Sequence, residues 1–418
     1  MMDVLMRWGS GMVAVLIGWV LTVALHRQQI AWERHLFGVA LGKTGIRVIW
    51  VLGTGLLLSL VPSLLWLWVD PLPPTLLWLW AGLTLGWALF YDRLAQPLRV
   101  LLFLFAFSFT IQSISAQSWV SWPWLEALRT DINLAMTASI RGWWVAASSI
   151  LLSQGLAYWL LPPSLYSPYL GRTHRGGIEA GYRLTSWLTL LGVSSGVHGS
   201  AMVPLFIPLN DMYPGRLPKP LAQKKGTVYV LLGLFMIGLI ALSALLPIEG
   251  FVYRPLATVL ILLTIESSRT IVDRLLVQGQ RTLLPAQEGL TILAVVPESP
   301  AARLGFVPGE RITQVNGKKV NTIAEYYRAL QESPAFTRFQ GFDQASEMIL
   351  RQGPRYEGDH HLYGLIFVPP QADVTWDRQH RLLQALRKKT KDNRLYPKKK
   401  GHERDKTTIE RHERSVQG

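Results

Sequence analysis

The sequence predicts a multi-pass α-helical membrane bundle over residues 1–266, followed by a small, mostly β α/β domain over residues 283–370. Three observations predict it. Half of the 418 residues are hydrophobic, only 17% are charged, and the mean hydropathy is +0.23; a soluble chain of this length carries about a quarter of charged residues to cover its surface. Long uncharged stretches crowd the first two-thirds of the chain, so the charge is not merely low but segregated. The last third instead alternates β-rich runs with Gly, Pro and Asn turn signals, as soluble domains do.

Taken in order, the apolar runs that approach the length needed to cross a bilayer are Trp8–Leu25, Ile46–Trp68, Thr75–Tyr91, Leu98–Ile114, Trp143–Leu161, Leu184–Leu209, Thr227–Pro247 and Phe251–Ile265. Tryptophans such as Trp8, Trp50, Trp68, Trp124 and Trp143 flank many of them, where an indole prefers the headgroup level. Trp8–Leu25 lacks a small-residue cleavage site and reads as a first membrane helix rather than a removable leader. Basic residues follow that run on the charged stretch His26–His35 and recur around Arg172–Arg183 and Arg216–Lys225. Putting all of these and the basic C-terminus on the cytoplasmic side requires seven crossings, with Leu184–Leu209 dipping in and returning; otherwise there are eight. Trp119–Ile140 is too charged to cross and suits an interfacial helix. Residues 267–282 read as an amphipathic connector. Residues 371–418 form a basic tail, largely disordered beyond a helix near Asp377–Lys389, that could be attracted to anionic lipid.

The soluble part carries an ordered set of local signals. Leu290–Val296 is β-rich. Ser299 is an N-cap with Pro300 at the first helical position, and Gly305 closes that short helix. Pro308–Gly309 turns into the strand Arg311–Val315, and Asn316–Gly317 is a hairpin signal. Thr322 and Glu325 form a capping box ahead of Ile323, Tyr326, Tyr327 and Leu330. The whole stretch Gly289–Val320 resembles the core of a PDZ domain of the circularly permuted bacterial type. The resemblance implies peptide binding by strand addition beside a helix. The peptide groove would then comprise Ile323, Tyr327 and Leu330 on the helix. The carboxylate loop falls either on Thr282–Leu284 or, preferred for its hydrophobic–Gly–hydrophobic pattern, on Leu362–Phe367 with Tyr363, Gly364, Leu365 and Ile366. Arg355 and Lys319 could assist, although nothing in their spacing says so.

Catalytic chemistry is not expected. The absence of cysteine excludes a disulfide scaffold, a thiol nucleophile and a thiolate zinc site. No His-Glu-x-x-His occurs, so the zinc-protease geometry of two imidazoles one turn apart is missing. Gly192–Gly196 matches G-x-S-x-G with His198 nearby, but it lies in an apolar run, and small residues that let elements pack closely explain it equally well. His360 and His361 are adjacent on a predicted strand and point to opposite faces, which argues against one shared metal ion. No cofactor, metal or nucleic acid is expected; the charge of +15 fits basic membrane-flanking loops.

A final stretch, Arg355–Val368 (RYEGDHHLYGLIFV), together with the layout of membrane half plus C-terminal PDZ domain, resembles the MinJ family of division-site topological determinants of Gram-positive, spore-forming bacteria. The resemblance covers residues 285–368, and the membrane half in layout only. It implies a non-enzymatic, membrane-anchored scaffold whose cytoplasmic PDZ domain recruits partners, bridging DivIVA to MinC–MinD at septum and poles. Self-association remains open. A PDZ-bearing accessory of a membrane protease or signalling pathway is the alternative, and a transporter a further one.

Overall fold

A computed structural model describes residues 2–68, 74–90, 99–106, 140–172, 178–194, 201–245, 281–333, 335–356 and 363–369, with scattered positions between 259 and 274. The expected interfacial helix Trp119–Ile140, most of the run Phe251–Ile265, the histidine pair and the basic tail lie outside the described residues.

The N-terminal region begins with α1 (Met2–Phe37), α2 (Thr44–Leu58), α3 (Leu60–Trp68), α4 (Pro74–Phe90) and α5 (Ile140–Leu160). Three strands follow, β1 (Tyr166–Arg172), β2 (Ile178–Ser194) and β3 (Ala201–Pro214), then α6 (Pro218–Leu245). The strands form an antiparallel sheet in the order β1-β2-β3, with Tyr166 opposite Leu184 and Leu184 opposite Asp211. Helices α1, α2 and α3 pack on β2, and α4 packs on β3. The core contains Trp66, Trp143, Leu184, Leu188, Leu205 and Ile207, all buried.

This arrangement overturns the expected multi-pass helical bundle. Among the described residues, two helical stretches are long and apolar enough to cross a membrane, Thr44–Trp68 and Pro218–Ser243. The run Leu184–Leu209, expected to cross or re-enter as a helix, is instead most of the β2–β3 hairpin. A strand covered on both faces is as apolar as a membrane helix, and a hydropathy window cannot separate the two. The prolines carry the missing information. Pro204, Pro208 and Pro214 all fall at even positions of β3, which is an edge strand. Residues of one parity direct their N–H groups to the same side, so all three can face away from β2 and cost the ladder no bond. Helix α5 departs from expectation too, because residues 142–155 are buried on all sides by protein. The charged stretch His26–His35 is no loop; it continues α1 to Phe37.

Continuing α1 has a consequence for charge. Glu33 and Arg47 are both fully buried and pair at 2.8 Å. Ser167 donates to Glu33 at 2.6 Å, and the Leu41 amide donates to its other oxygen at 3.0 Å. Asp211 on β3 accepts from Lys225 of α6 at 2.6 Å and from the Tyr158 hydroxyl of α5. Ser167 and Asp211 sit in adjacent rows of the sheet, whose side chains alternate between faces. The Glu33–Arg47 and Asp211–Lys225 pairs therefore lie on opposite faces of the sheet at about the same height.

The C-terminal region holds β4 (Leu290–Val295), α7 (Pro300–Arg303), β5 (Arg311–Val315), β6 (Lys318–Lys319), α8 (Ile323–Glu332), β7 (Phe336–Phe342), β8 (Met348–Pro354) and β9 (Leu365–Phe367). The sheet order is β8-β7-β5-β4-β9, with β6 beside β5. Its local signals form as the sequence predicts. The Ser299 side chain accepts from the Ala302 amide, Gly305 takes a φ of +75°, and the Thr322–Glu325 capping box is complete. Asn316 and Gly317, at φ 51° and 80°, turn β5 into β6. A separate core gathers Ile292, Ile312, Tyr326, Phe339, Tyr363 and Phe367.

Candidate peptide-binding groove

Helix α8 presents two kinds of residue. Tyr326, Ala329 and Leu330 face the domain core, while Ile323 and Tyr327 are 38% and 41% exposed one turn apart. The helix is held in register by its N-terminus, where the Glu325 carboxylate accepts from the amides of Asn321 at 2.7 Å and Thr322 at 3.2 Å. Those bonds, the Asn321 amide foremost, hold the Glu325 carboxyl below its ordinary range. Tyr326 lies edge-on to Phe367 at 4.7 Å between ring centroids, which seats α8 against β9. Burial pushes the Tyr326 hydroxyl well above the usual tyrosine range, so it stays neutral there.

Strand β9 ends the sheet. It pairs antiparallel with β4, Ala294 opposite Ile366 and Val295 opposite Leu365, and its other backbone edge has no strand beside it among the described residues. The chain enters β9 through Tyr363 and Gly364, both with positive φ (62° and 82°). The Gly364 carbonyl accepts from the Val296 amide at 2.8 Å, and the Tyr363 carbonyl from Ala301 at 3.0 Å. A side chain at Gly364 would strike Ser299 Cβ at 2.2 Å. The Tyr363 ring is buried under this turn, donating its hydroxyl to the Gly353 carbonyl at 2.6 Å. Strand β9 therefore has one edge without a strand beside it among the described residues, and α8, packed on it through Tyr326 and Phe367, exposes Ile323 and Tyr327.

The seven residues expected for the groove therefore occupy four environments. Ile323 and Tyr327 are exposed on α8. Tyr363, Leu365 and Leu330 belong to the domain core, and Gly364 shapes the turn. Ile366 is half-buried against the N-terminal core. The other stretch weighed for the carboxylate loop, Thr282–Leu284, is held elsewhere: the Thr282 and Leu283 amides both donate to the Gly215 carbonyl at 2.8 and 3.0 Å. Leu283, Leu293 and Val368 are buried in the N-terminal core, and the Tyr182 hydroxyl of β2 donates to the Leu293 carbonyl. The back of the β4–β9 pair thus rests on the N-terminal sheet. Sequence reading missed this seam, and lone residues such as Tyr182 and Gly215 carry no local signal for it.

The G-x-S-x-G match lacks the surroundings of a nucleophile elbow. Gly192 and Ser194 lie in β2, and the next described element is the strand β3 rather than a helix. Gly192 is required for packing, since a side chain there would meet the Trp66 ring at 2.2 Å.

Comparison with known proteins bears first on the C-terminal region. Residues 291–338 match the PDZ domain family. The chain is 28% identical over 229 residues to the cell division topological determinant MinJ of Bacillus subtilis, an alignment covering 54% of each protein. It is 32% identical over 94 residues to a protein named as a cell division topological determinant MinJ in Lacticaseibacillus paracasei, covering 22% of this chain and 26% of that one. A protein named as a zinc metalloprotease in Neisseria meningitidis is 29% identical over 107 residues, a quarter of this chain. The chain thus spans about half the length of the Bacillus relative it matches and about a quarter of the Lacticaseibacillus one. Over these regions the chain is a MinJ-like protein with a PDZ domain towards its C-terminus.

Proposed function

We propose that this chain is a non-enzymatic, membrane-associated adaptor in division-site placement, recruiting its partners through the groove between α8 and β9. The observation that carries the reading is the pair of exposed apolar residues, Ile323 and Tyr327, on the helix packed against β9, one edge of which has no strand beside it among the described residues. The likeness to MinJ supports the division role, and the two helices of membrane-crossing length support membrane association. The residues Tyr363, Gly364, Leu365, Ile366 and Leu330 shape the groove from beneath and behind. On this reading the PDZ domain and C-terminus are cytoplasmic, the protein concentrates at the cell membrane of septum and poles, and its partners are DivIVA and MinD-type proteins. The metalloprotease likeness favours no second reading, because the sequence has no His-Glu-x-x-His to hold and activate a zinc-bound water.

The test is genetic. Deleting the gene in its host is expected to lengthen cells and displace septa, and a copy carrying Ile323→Glu and Tyr327→Glu is expected to fail to restore them. Normal septum position in the deletion strain would remove the division role. Full rescue by the double variant would keep that role and remove the groove.

A further inference from the structure

We infer that the outward face of the β7–β8 hairpin docks onto an anionic lipid surface. Side chains alternate along these strands, and the alternation sorts them cleanly. Thr337, Phe339 and Gly341 of β7 are buried, while Phe336 and Arg338 are exposed and Phe342 is half-exposed. On β8, Met348 and Leu350 are 73% and 54% exposed. The register sets Phe342 opposite Met348, Gln340 opposite Leu350, Arg338 opposite Gln352 and Phe336 opposite Pro354. The outward face therefore gathers Phe336 and Phe342 of β7 with Met348 and Leu350 of the edge strand β8, set among Arg338, Gln340 and Gln352. Edge strands in soluble proteins ordinarily avoid exposed large apolar residues, and a group of this kind marks a contact surface.

The charges on the same face choose the partner. Arg311 stands opposite Phe342, with its guanidinium 5.0 Å from the ring centroid, and Arg338 lies on β7 between Phe336 and Phe342. Lys319 joins the face through Gln314, its partner on β5. The neighbouring acids are mostly engaged elsewhere. Glu310 points inward to Arg351, Glu332 pairs with Lys318, and Asp343 accepts from the turn amides of Ala345 and Glu347. Glu347, beside Met348, is the one acid at this edge that the described contacts leave outward. Apolar side chains ringed by basic ones suit insertion at the headgroup boundary of an anionic bilayer. A second copy is a poorer occupant, since two such faces would bring Arg311, Arg338 and Lys319 against their own kind. The two helices of membrane-crossing length in the same chain keep a bilayer within reach.

The chain has no cysteine, so Met348→Cys gives the full-length protein a single attachment point for an environment-sensitive dye. The labelled protein is reconstituted in phosphatidylcholine bilayers with and without phosphatidylglycerol, alongside a control labelled at Arg328→Cys on α8. The expected result is blue-shifted emission and several-fold stronger quenching by spin-labelled lipid at position 348 than at 328. Both effects should need phosphatidylglycerol and fade at high salt, a condition that requires no further substitution. Arg311→Glu with Arg338→Glu should abolish them. Equal quenching at both positions, or emission indifferent to phosphatidylglycerol, overturns the inference. So does energy transfer between copies without lipid quenching, which would assign the face to self-association, and so does a blue shift that appears only on adding an acidic protein.

Discussion

At the scale of single residues, the domain depends on backbone positions that few side chains tolerate. Gly364 has a φ of +82° and lies against Ser299, so Gly364→Ala faces strain and a clash together. A loss of about 1–3 kcal/mol in PDZ unfolding free energy is expected in denaturant melts, with a shift in midpoint and no change of slope. Glu325 acts through protonation. Its carboxyl is held below the ordinary glutamate range in the folded state, so its contribution is fully present above the unfolded value and is lost as pH falls through the folded one. Hydrogen exchange at the Asn321 and Thr322 amides should therefore be flat with pH near neutrality, once corrected for intrinsic rates, and lose protection on acidification. Glu325→Ala should show weak protection throughout. Glu325 was legible in the sequence, because a Thr-x-x-Glu cap acts through neighbours three or four positions away; Gly364 was read there as part of the carboxylate loop, and its contact with Ser299, far off along the chain, left no local signal. Asn316 was legible too, and it also ties the hairpin to α8 by donating to the Ala329 carbonyl at 2.9 Å. Tyr182 was not legible, since its partner Leu293 lies 111 positions along the chain.

At the scale of elements, the N-terminal region is held by contacts that hydropathy does not register. The ion pair Glu33–Arg47 fastens α1 to α2 and, through Ser167, to β1. Removing either partner alone leaves a buried charge, so Glu33→Ala or Arg47→Ala is expected to cost about 3–5 kcal/mol. Replacing the pair together by Leu and Met should recover much of it, as thermal unfolding in detergent would record. Helices α5 and α6 cross where Gly155 meets Gly226. A Cβ on either would lie within 2.8 Å of the other's carbonyl oxygen. Gly226→Leu is thus expected to separate the helices and lower the melting temperature, whereas Gly238→Leu, in open space on the same helix, should not. The PDZ elements could be read because each begins and ends on its own turn residues. The β2–β3 hairpin could not be, because its apolar content matched a membrane helix and its strand character lay in the parity of three prolines and in helices packed over both faces.

At the scale of the molecule, two regions with different physics share a seam. The N-terminal sheet and its helices enclose the Glu33–Arg47 and Asp211–Lys225 pairs, and the back of the β4–β9 pair rests on this region through Leu293, Ile366 and Val368. The strand expected to receive a peptide is therefore braced from behind, and Phe367 joins it to α8 through Tyr326. Such bracing reduces the ordering cost of binding. The groove is proposed to recruit the partner, and partner capture by the intact protein tests this. Full-length chain and its Ile323→Glu, Tyr327→Glu variant are held in equal amounts in lipid nanodiscs and presented with purified DivIVA and MinD. A loss of affinity of at least about tenfold, or 1.4 kcal/mol, is expected for a groove-bound partner, with the melting of the PDZ domain unchanged because both residues are exposed. Equal capture by wild type and a folded double variant would contradict the claim.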